Sequence, residues 1–243
     1  MRVALFPTCL VDQFWPSVGV ATVRVLRRVG CEVMFDEQLT CCGQPAFNTG
    51  YREEAARVAG PVVDRLDAMG VDAVVVPSGS CGAMFRHLTE VFPSGPRADR
   101  ARAVASMTHE LSSFLVDVLG RTDVGGRFDG RVTWHDGCHG LRELSIHSAP
   151  RRLIADVEGA ELVEMGSADS CCGFGGTFSV KYPEISVAML DAKLEKLPNA
   201  DVRAVVSGDV SCLMQIGGRL SRLGSPVKAL HLAELLAGSE GAS

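Results

Sequence analysis

The sequence predicts an α/β protein made of two duplicated domains, each a small parallel sheet flanked by helices, with cysteine loops at the carboxyl ends of the strands. Two observations carry this reading. Short Val-rich runs alternate with longer amphipathic segments along the chain, and one pattern of cysteines occurs twice. Strands separated by helices imply parallel pairing with right-handed crossovers.

In the first half, Val3–Phe6 reads as a strand and Val18–Val29 as a helix closed by Gly30. Glu32–Phe35 is the next strand. Tyr51–Met69 is a long helix with an expected break near Gly60-Pro61, because proline removes an intrahelical donor. Ala73–Val76 is the third strand. Cys81–Val91 and Ala98–Leu119 read as helices joined by the Pro/Gly-rich stretch Phe92–Arg97, an insertion with no counterpart later in the chain. Gly120–Gly130 reads as the linker, giving domains at 1–125 and 126–243. The second half repeats the order with the strand Val132–His135, the helix Arg151–Val157, the strand Glu161–Glu164, the helix Glu184–Leu197, the strand Arg203–Val206 and the helix Cys212–Leu223.

The nine cysteines lie at 9, 31, 41, 42, 81, 138, 171, 172 and 212. Without Cys31 they form two matching sets. In the first, 31 residues separate Cys9 from Cys41 and 38 separate Cys42 from Cys81; in the second the gaps are 32 and 39. Leu26–Val33 lines up with Ala155–Leu162 at a similar offset, and His109-Glu110-Leu111 lines up loosely with the segment from His231. A period of about 130 residues is longer than solenoid repeats and indicates duplicated domains. Cys31 faces Ala160 in this alignment and reads as a small core residue.

Each set places a cysteine just beyond three successive strands, and parallel sheets gather ligands at that edge. Cys81 and Cys212 open helices, whose positive ends favour thiolates. Structural zinc sites space their paired cysteines two to four residues apart. The adjacent pairs Cys41-Cys42 and Cys171-Cys172 suit a centre with several metal ions better, since neighbouring thiolates can bind different ions. The glycines that follow, Gly43 and Gly173, read as room for a bulky inorganic core. Zinc remains an alternative, as does a metal-free thiol–disulfide reductase.

Composition narrows the function classes. A net charge of −5 with scattered Lys and Arg builds no field for nucleic acid. No apolar run reaches the roughly 18 residues a membrane span needs, and the N-terminus carries no signal-peptide core. A cytoplasmic redox subunit is the expectation, and many cysteines in such a compartment point to metal or redox chemistry. No dinucleotide fingerprint, Walker A or GxSxG motif is present.

Cys41-Cys42-Gly43 and Cys171-Cys172-Gly173, each flanked by distant cysteines, resemble the CCG cysteine-rich domain found in heterodisulfide reductase and in the iron–sulfur subunit of glycolate oxidase. The segments PTCLVDQFWPSVGV, QLTCCGQPAFNTGY, VVPSGSC, CCGFGGTFSVKYPEIS and SCLMQIGGRL resemble, over nearly the whole chain, the lactate utilisation A family. The resemblance implies an iron–sulfur subunit of a complex oxidising L-lactate to pyruvate, with a ferredoxin-like protein and a third protein as partners and a small hydroxy acid as substrate. It also implies [4Fe-4S] clusters, one or two, held by Cys9, Cys41, Cys42 and Cys81 and by Cys138, Cys171, Cys172 and Cys212. The heterodisulfide-reductase relatives end each motif with Cys-x-x-Cys, whereas Ser78 and Asp209 stand at the first of those positions here. That departure leaves open an oxygen ligand from either residue or an ordinary cubane, the latter preferred. His139 and Arg142 are candidates for holding a substrate carboxylate beside the second cluster; the plain alternative is a loop histidine and a surface arginine. His135, at a strand end, reads as structural.

Overall fold

The structure is a computed structural model and describes residues 1–238. The first half runs β1 (Arg2–Leu5), α1 (Cys9–Phe14), α2 (Pro16–Arg28), β2 (Glu32–Met34), α3 (Gln44–Asn48), α4 (Arg52–Ala68), β3 (Ala73–Val76), α5 (Gly79–Arg86), α6 (Leu88–Val91), α7 (Ala98–Met107), β4 (Thr108–Glu110) and α8 (Leu111–Ser113), followed by a π-helical turn at Phe114–Val118. The second runs β5 (Arg127–Trp134), α9 (Cys138–Arg142), α10 (Ser148–Ala155), β6 (Glu158–Leu162), α11 (Thr177–Lys181), α12 (Pro183–Leu194), β7 (Val202–Ser207), α13 (Val210–Arg222), β8 (Lys228–His231) and α14 (Leu232–Ala237).

Two four-stranded sheets result, with orders β2-β1-β3-β4 and β6-β5-β7-β8, parallel throughout. Strand order reverses around the first strand of each sheet. That is the switch point at which an open parallel sheet leaves a crevice beyond its carboxyl ends. β3 (Ala73–Val76) is buried and apolar throughout, as a strand covered on both faces must be, and β1 from Val3, β5 over its last three residues and β7 from Ala204 are buried as well.

Several elements differ from the sequence expectation. The helix expected over Ala98–Leu119 stops at Met107, because Thr108–Glu110 leaves it to pair with β3. Helix α4 is not broken at Pro61. Pro61 lies on an exposed face, as does Arg57, whose carbonyl loses its partner, so water can replace the missing bond. β5 begins at Arg127, inside the expected linker, and its register shifts between Arg127 and Gly130. The repeat also aligns differently at its tail. β4 pairs Glu110 with Val76, and β8 pairs His231 with Ser207, so Glu110 and not His109 is the counterpart of His231. Both are helix N-caps, Glu110 accepting from Ser112 and Ser113 N–H groups and His231 from Ala233 N–H. The insertion before β4 is real: α6 and α7 have no equivalent between α13 and β8.

One apolar cluster joins the two halves. It unites Val18, Val25 and Leu26 of α2 with Leu153 and Ile154 of α10 and with Leu232, Leu235 and Leu236 of α14. Cys31 belongs to this cluster and is buried, as its alignment with Ala160 predicts. Arg28, at the end of α2, donates to the carbonyls of Val124 (3.0 Å), Gly125 (3.0 Å), Leu236 (3.1 Å) and Ala237 (2.9 Å). It thereby ties the connecting segment and the end of α14 to the first half. Replacing Arg28 with Ala strips these charge-assisted bonds and is expected to cost about 2 kcal/mol. A urea-denaturation midpoint that does not move would contradict this role.

Candidate metal and cluster centre

Cys9, at the start of α1, lies beyond β1; Cys41 and Cys42 lie beyond β2; Cys81 sits in the first turn of α5 beyond β3. The crossovers thus bring three remote loops to one sheet edge. Cys9 Sγ stands 3.7 Å from Cys41 Sγ, and Cys42 Sγ stands 3.3 Å from Cys81 Sγ. Two thiolates on one tetrahedral ion, with metal–sulfur bonds of about 2.3 Å, lie about 3.8 Å apart, so both pairs sit at coordinating distance. Cys42 and Cys81 are buried, and Cys9 and Cys41 are half-buried.

Without a cation this cage cannot carry four negative charges. Cys42 is pushed well above the ordinary thiol range by its hydrogen bonds with Cys41 and Cys81 and by burial. Cys9 is pushed up by its bond to Cys41 and by burial. Cys41 alone is drawn down, to about 3, because Cys42 and Cys9 both donate to it. One thiolate stabilised by protonated neighbours is the metal-free compromise, and a soft polycation would allow all four to ionise. The donor set fits such a centre.

The second set repeats the arrangement. Cys138 opens α9 beyond β5, Cys171 and Cys172 follow β6, and Cys212 sits in the first turn of α13 beyond β7. Burial raises Cys138; a bond with Cys172, then burial, raises Cys171. The loop before Cys138 is pinned by Asp136, which accepts from Trp134 Nε1 (2.7 Å) and from both terminal nitrogens of Arg151 (2.9 and 2.8 Å). Burial opposes ionisation of Asp136, but the Arg151 guanidinium outweighs it and holds the carboxyl below its ordinary range.

The two edges face each other across a cavity of about 280 Å³, lined by seven of the eight paired-set cysteines, Cys41 excepted. Ser78 and Asp209 line it as well, and their oxygens are engaged as helix caps. Ser78 Oγ accepts from Cys81 N–H at 3.3 Å. Asp209 Oδ1 accepts from Ser211 N–H (3.3 Å) and Ser211 Oγ (2.7 Å), while its Oδ2 accepts Ser80 N–H from the other half at 2.7 Å. His139 also lines the cavity, its Nδ1 3.5 Å from Cys138 Sγ and its Nε2 3.6 Å from a Glu143 carboxylate oxygen. Arg142 is exposed and outside the lining.

Gly43 and Gly173 have a reason in the fold itself. Both adopt left-handed backbone, at φ +88° and +82°, and a Cβ would meet protein backbone. It would stand 2.9 Å from the Ala55 carbonyl oxygen at Gly43 and 2.4 Å from that of Ser186 at Gly173. The glycines let the cysteine loops pack against α4 and α12.

Two polar residues beside the second set were not singled out as site residues by sequence reasoning. His135 is buried, with a ring nitrogen within 4.8 Å of the sulfurs of Cys172 and Cys212. Lys193 is buried in α12 and donates to the carbonyls of Ser167, Ala168 and Ser170 at 3.0–3.2 Å, holding the loop that precedes Cys171. The repeat itself held the signal. The first-half counterparts, 129 and 131 residues earlier, are Phe6 and Val62. A polar residue opposite a buried apolar one marks a place where the copies have diverged in task.

Fold and site together define a duplicated cysteine-rich α/β protein whose paired cysteines converge from the strand ends. The model of the CCG cysteine-rich domain matches residues 3–86 and again 132–217. Lactate utilization protein A of Exiguobacterium sp. is 46% identical over 97% of this chain and 96% of that protein. The proteins of that name from Geobacillus sp. and Macrococcus caseolyticus are also 46% identical, each over 97% of this chain and 99% and 96% of their own lengths. The chain belongs to the lactate utilization protein A family of CCG cysteine-rich domain proteins.

Gly173→Ala is expected to cost at least about 2 kcal/mol, from left-handed strain plus the clash with Ser186. It should also lower metal occupancy at the second set more than at the first. Unchanged thermal stability in that variant would contradict the packing role.

Proposed function

We propose that the chain is the iron–sulfur redox subunit of a cytoplasmic complex that oxidises L-lactate to pyruvate, with [4Fe-4S] clusters held by Cys9, Cys41, Cys42 and Cys81 and by Cys138, Cys171, Cys172 and Cys212. The observation that carries this reading is the convergence of both cysteine sets on one cavity. The name shared by relatives at 46% identity supplies lactate as the substrate class. Oxidation of a hydroxy acid releases two electrons and two protons. Clusters supply one-electron steps when bound, and two centres facing one cavity give the pair of electrons two acceptors close together. The chain carries no nucleotide-binding signature, so a partner or a bound cluster takes the electrons; the partners that the family resemblance implies are a ferredoxin-like protein and a third protein. Among the described residues no helix is long and apolar enough to cross a membrane.

Within the cavity wall, His139 is the candidate for holding the substrate carboxylate or taking its hydroxyl proton. Its contact with Glu143 orients the ring. Arg142, exposed on the same short helix, is the candidate for contact with the substrate or a partner chain at the surface. Substituting His139 with Ala in the assembled complex should reduce lactate-dependent electron transfer at least tenfold while leaving iron content unchanged. Full activity would remove His139 from the reaction.

A zinc module is the second reading, favoured by the 3.3 and 3.7 Å sulfur separations. A glycolate-oxidising or heterodisulfide-reducing subunit is the third, and it differs only in substrate. Iron, sulfide and zinc analysis of anaerobically purified protein, with EPR of the reduced form, separates cluster from zinc. About four irons per site are expected, and zinc alone or no metal would overturn the proposal. Cys171→Ser should abolish the second cluster; retained iron there would refute its ligand assignment. Pyruvate formed from L-lactate, but no glyoxylate from glycolate, is the result expected of the complex.

A further inference from the structure

His135 follows β5 and is 1% exposed, and neither of its ring nitrogens makes a hydrogen bond of standard geometry, although the Ala168 carbonyl lies near the ring. Among the described residues it is the only side chain with two such orphaned buried atoms. The Ala168 carbonyl, placed in the same region, already accepts from Asp136 N–H and Lys193 Nζ at 3.1 Å each. Leaving a buried polar group unpaired costs on the order of 1–3 kcal/mol, so an orphaned imidazole in a native core calls for an unseen partner. The side chains that could share that partner are Cys172 and Cys212, whose sulfurs and a His135 nitrogen all lie within 4.8 Å of one another.

The duplicated half supplies the control. Phe6 N–H donates to the Val75 carbonyl just as His135 N–H donates to that of Val206, so the two residues occupy one position of the repeat. Phe6 is fully buried and stacks edge-on against Phe85 with ring centroids 5.0 Å apart. An apolar ring therefore satisfies the packing at this position. The imidazole of the second half is not needed to fill space, and its polar atoms lower stability unless they bind something.

We propose that His135 donates a ring nitrogen to the metal held by Cys172 and Cys212, making the second centre a mixed nitrogen–sulfur site and the first a sulfur-only one. This rests on reading the cysteine sets as metal-cluster ligands. A neutral imidazole brings no negative charge, whereas a thiolate brings one. At that position the imidazole leaves the second centre easier to reduce than a thiolate there would, just as histidine in place of cysteine raises the potential of other iron–sulfur centres.

The test uses the full chain carrying Cys41→Ser and Cys42→Ser, so that only the second centre is loaded, reconstituted anaerobically with iron and sulfide and then reduced. Hyperfine spectroscopy with natural-abundance and ¹⁵N-labelled histidine should reveal one coordinated histidine nitrogen. That coupling should vanish in His135→Phe, the residue the first half carries there. His135→Cys should restore full iron content without the nitrogen coupling and at a lower midpoint potential. A coupling that survives in His135→Phe, or is absent from the iron-loaded parent, overturns the proposal. Should His135→Phe fail to fold, the same two readouts in His135→Cys decide. If the parent takes up no iron, the iron–sulfur reading fails, and Co²⁺ then tests the ligand alone. The d–d bands of the Co²⁺-loaded parent should shift in His135→Cys, and identical spectra would exclude His135 from the site.

Discussion

The arrangement depends on one buried carboxylate. Asp209 caps α13 with one oxygen and accepts Ser80 N–H of the opposite half with the other, at 2.7 Å. Ser80 is the residue before Cys81, and Asp209 lies three before Cys212. A single side chain therefore fixes the distance between the helices that carry the last cysteine of each set. A charge-assisted hydrogen bond in a buried position contributes about 1.5–3 kcal/mol, and here it also sets geometry, because it spans the seam between the two carboxyl edges. The Gly79 N–H to Gly208 carbonyl bond, at 3.3 Å, reinforces the same seam.

Around that seam the copies keep their scaffold and diverge in chemistry. Both retain left-handed glycines after the paired cysteines and an N-cap at the equivalent of Ser78 and Asp209. Duplication explains how a symmetric cavity arises without separate invention of two sites. Two of the divergences lie beside the second set, where His135 and Lys193 stand at the repeat positions that Phe6 and Val62 hold in the first copy.

Much of this was legible in the chain. Two cysteine sets with nearly equal spacing revealed both the duplication and the strand-end loops, because a ligand cage needs fixed residues at fixed places. The short fourth strand of each sheet was not legible. Thr108–Glu110 has three residues, follows a helix without a turn signal, and is defined only by its pairing with β3. Lys228–His231 owes its existence to β7 in the same way. His135 read as structural because one histidine at a strand end has no pattern of its own; only its three-dimensional neighbours, remote in sequence, give it a role. The shared apolar cluster was hidden for the same reason, since α2 and α14 lie at opposite ends of the sequence.

That last packing has a consequence for biosynthesis. The buried face of α2 is covered by α14, and Arg28 closes on the carbonyls of Leu236 and Ala237. At ribosomal speeds of about 5–20 residues per second, the apolar face of α2 waits on the order of 10–40 s before its final cover is synthesised. During that interval Cys9, Cys41, Cys42 and Cys81 belong to an unfinished globule. The first set is therefore complete in sequence well before the fold that surrounds it is closed.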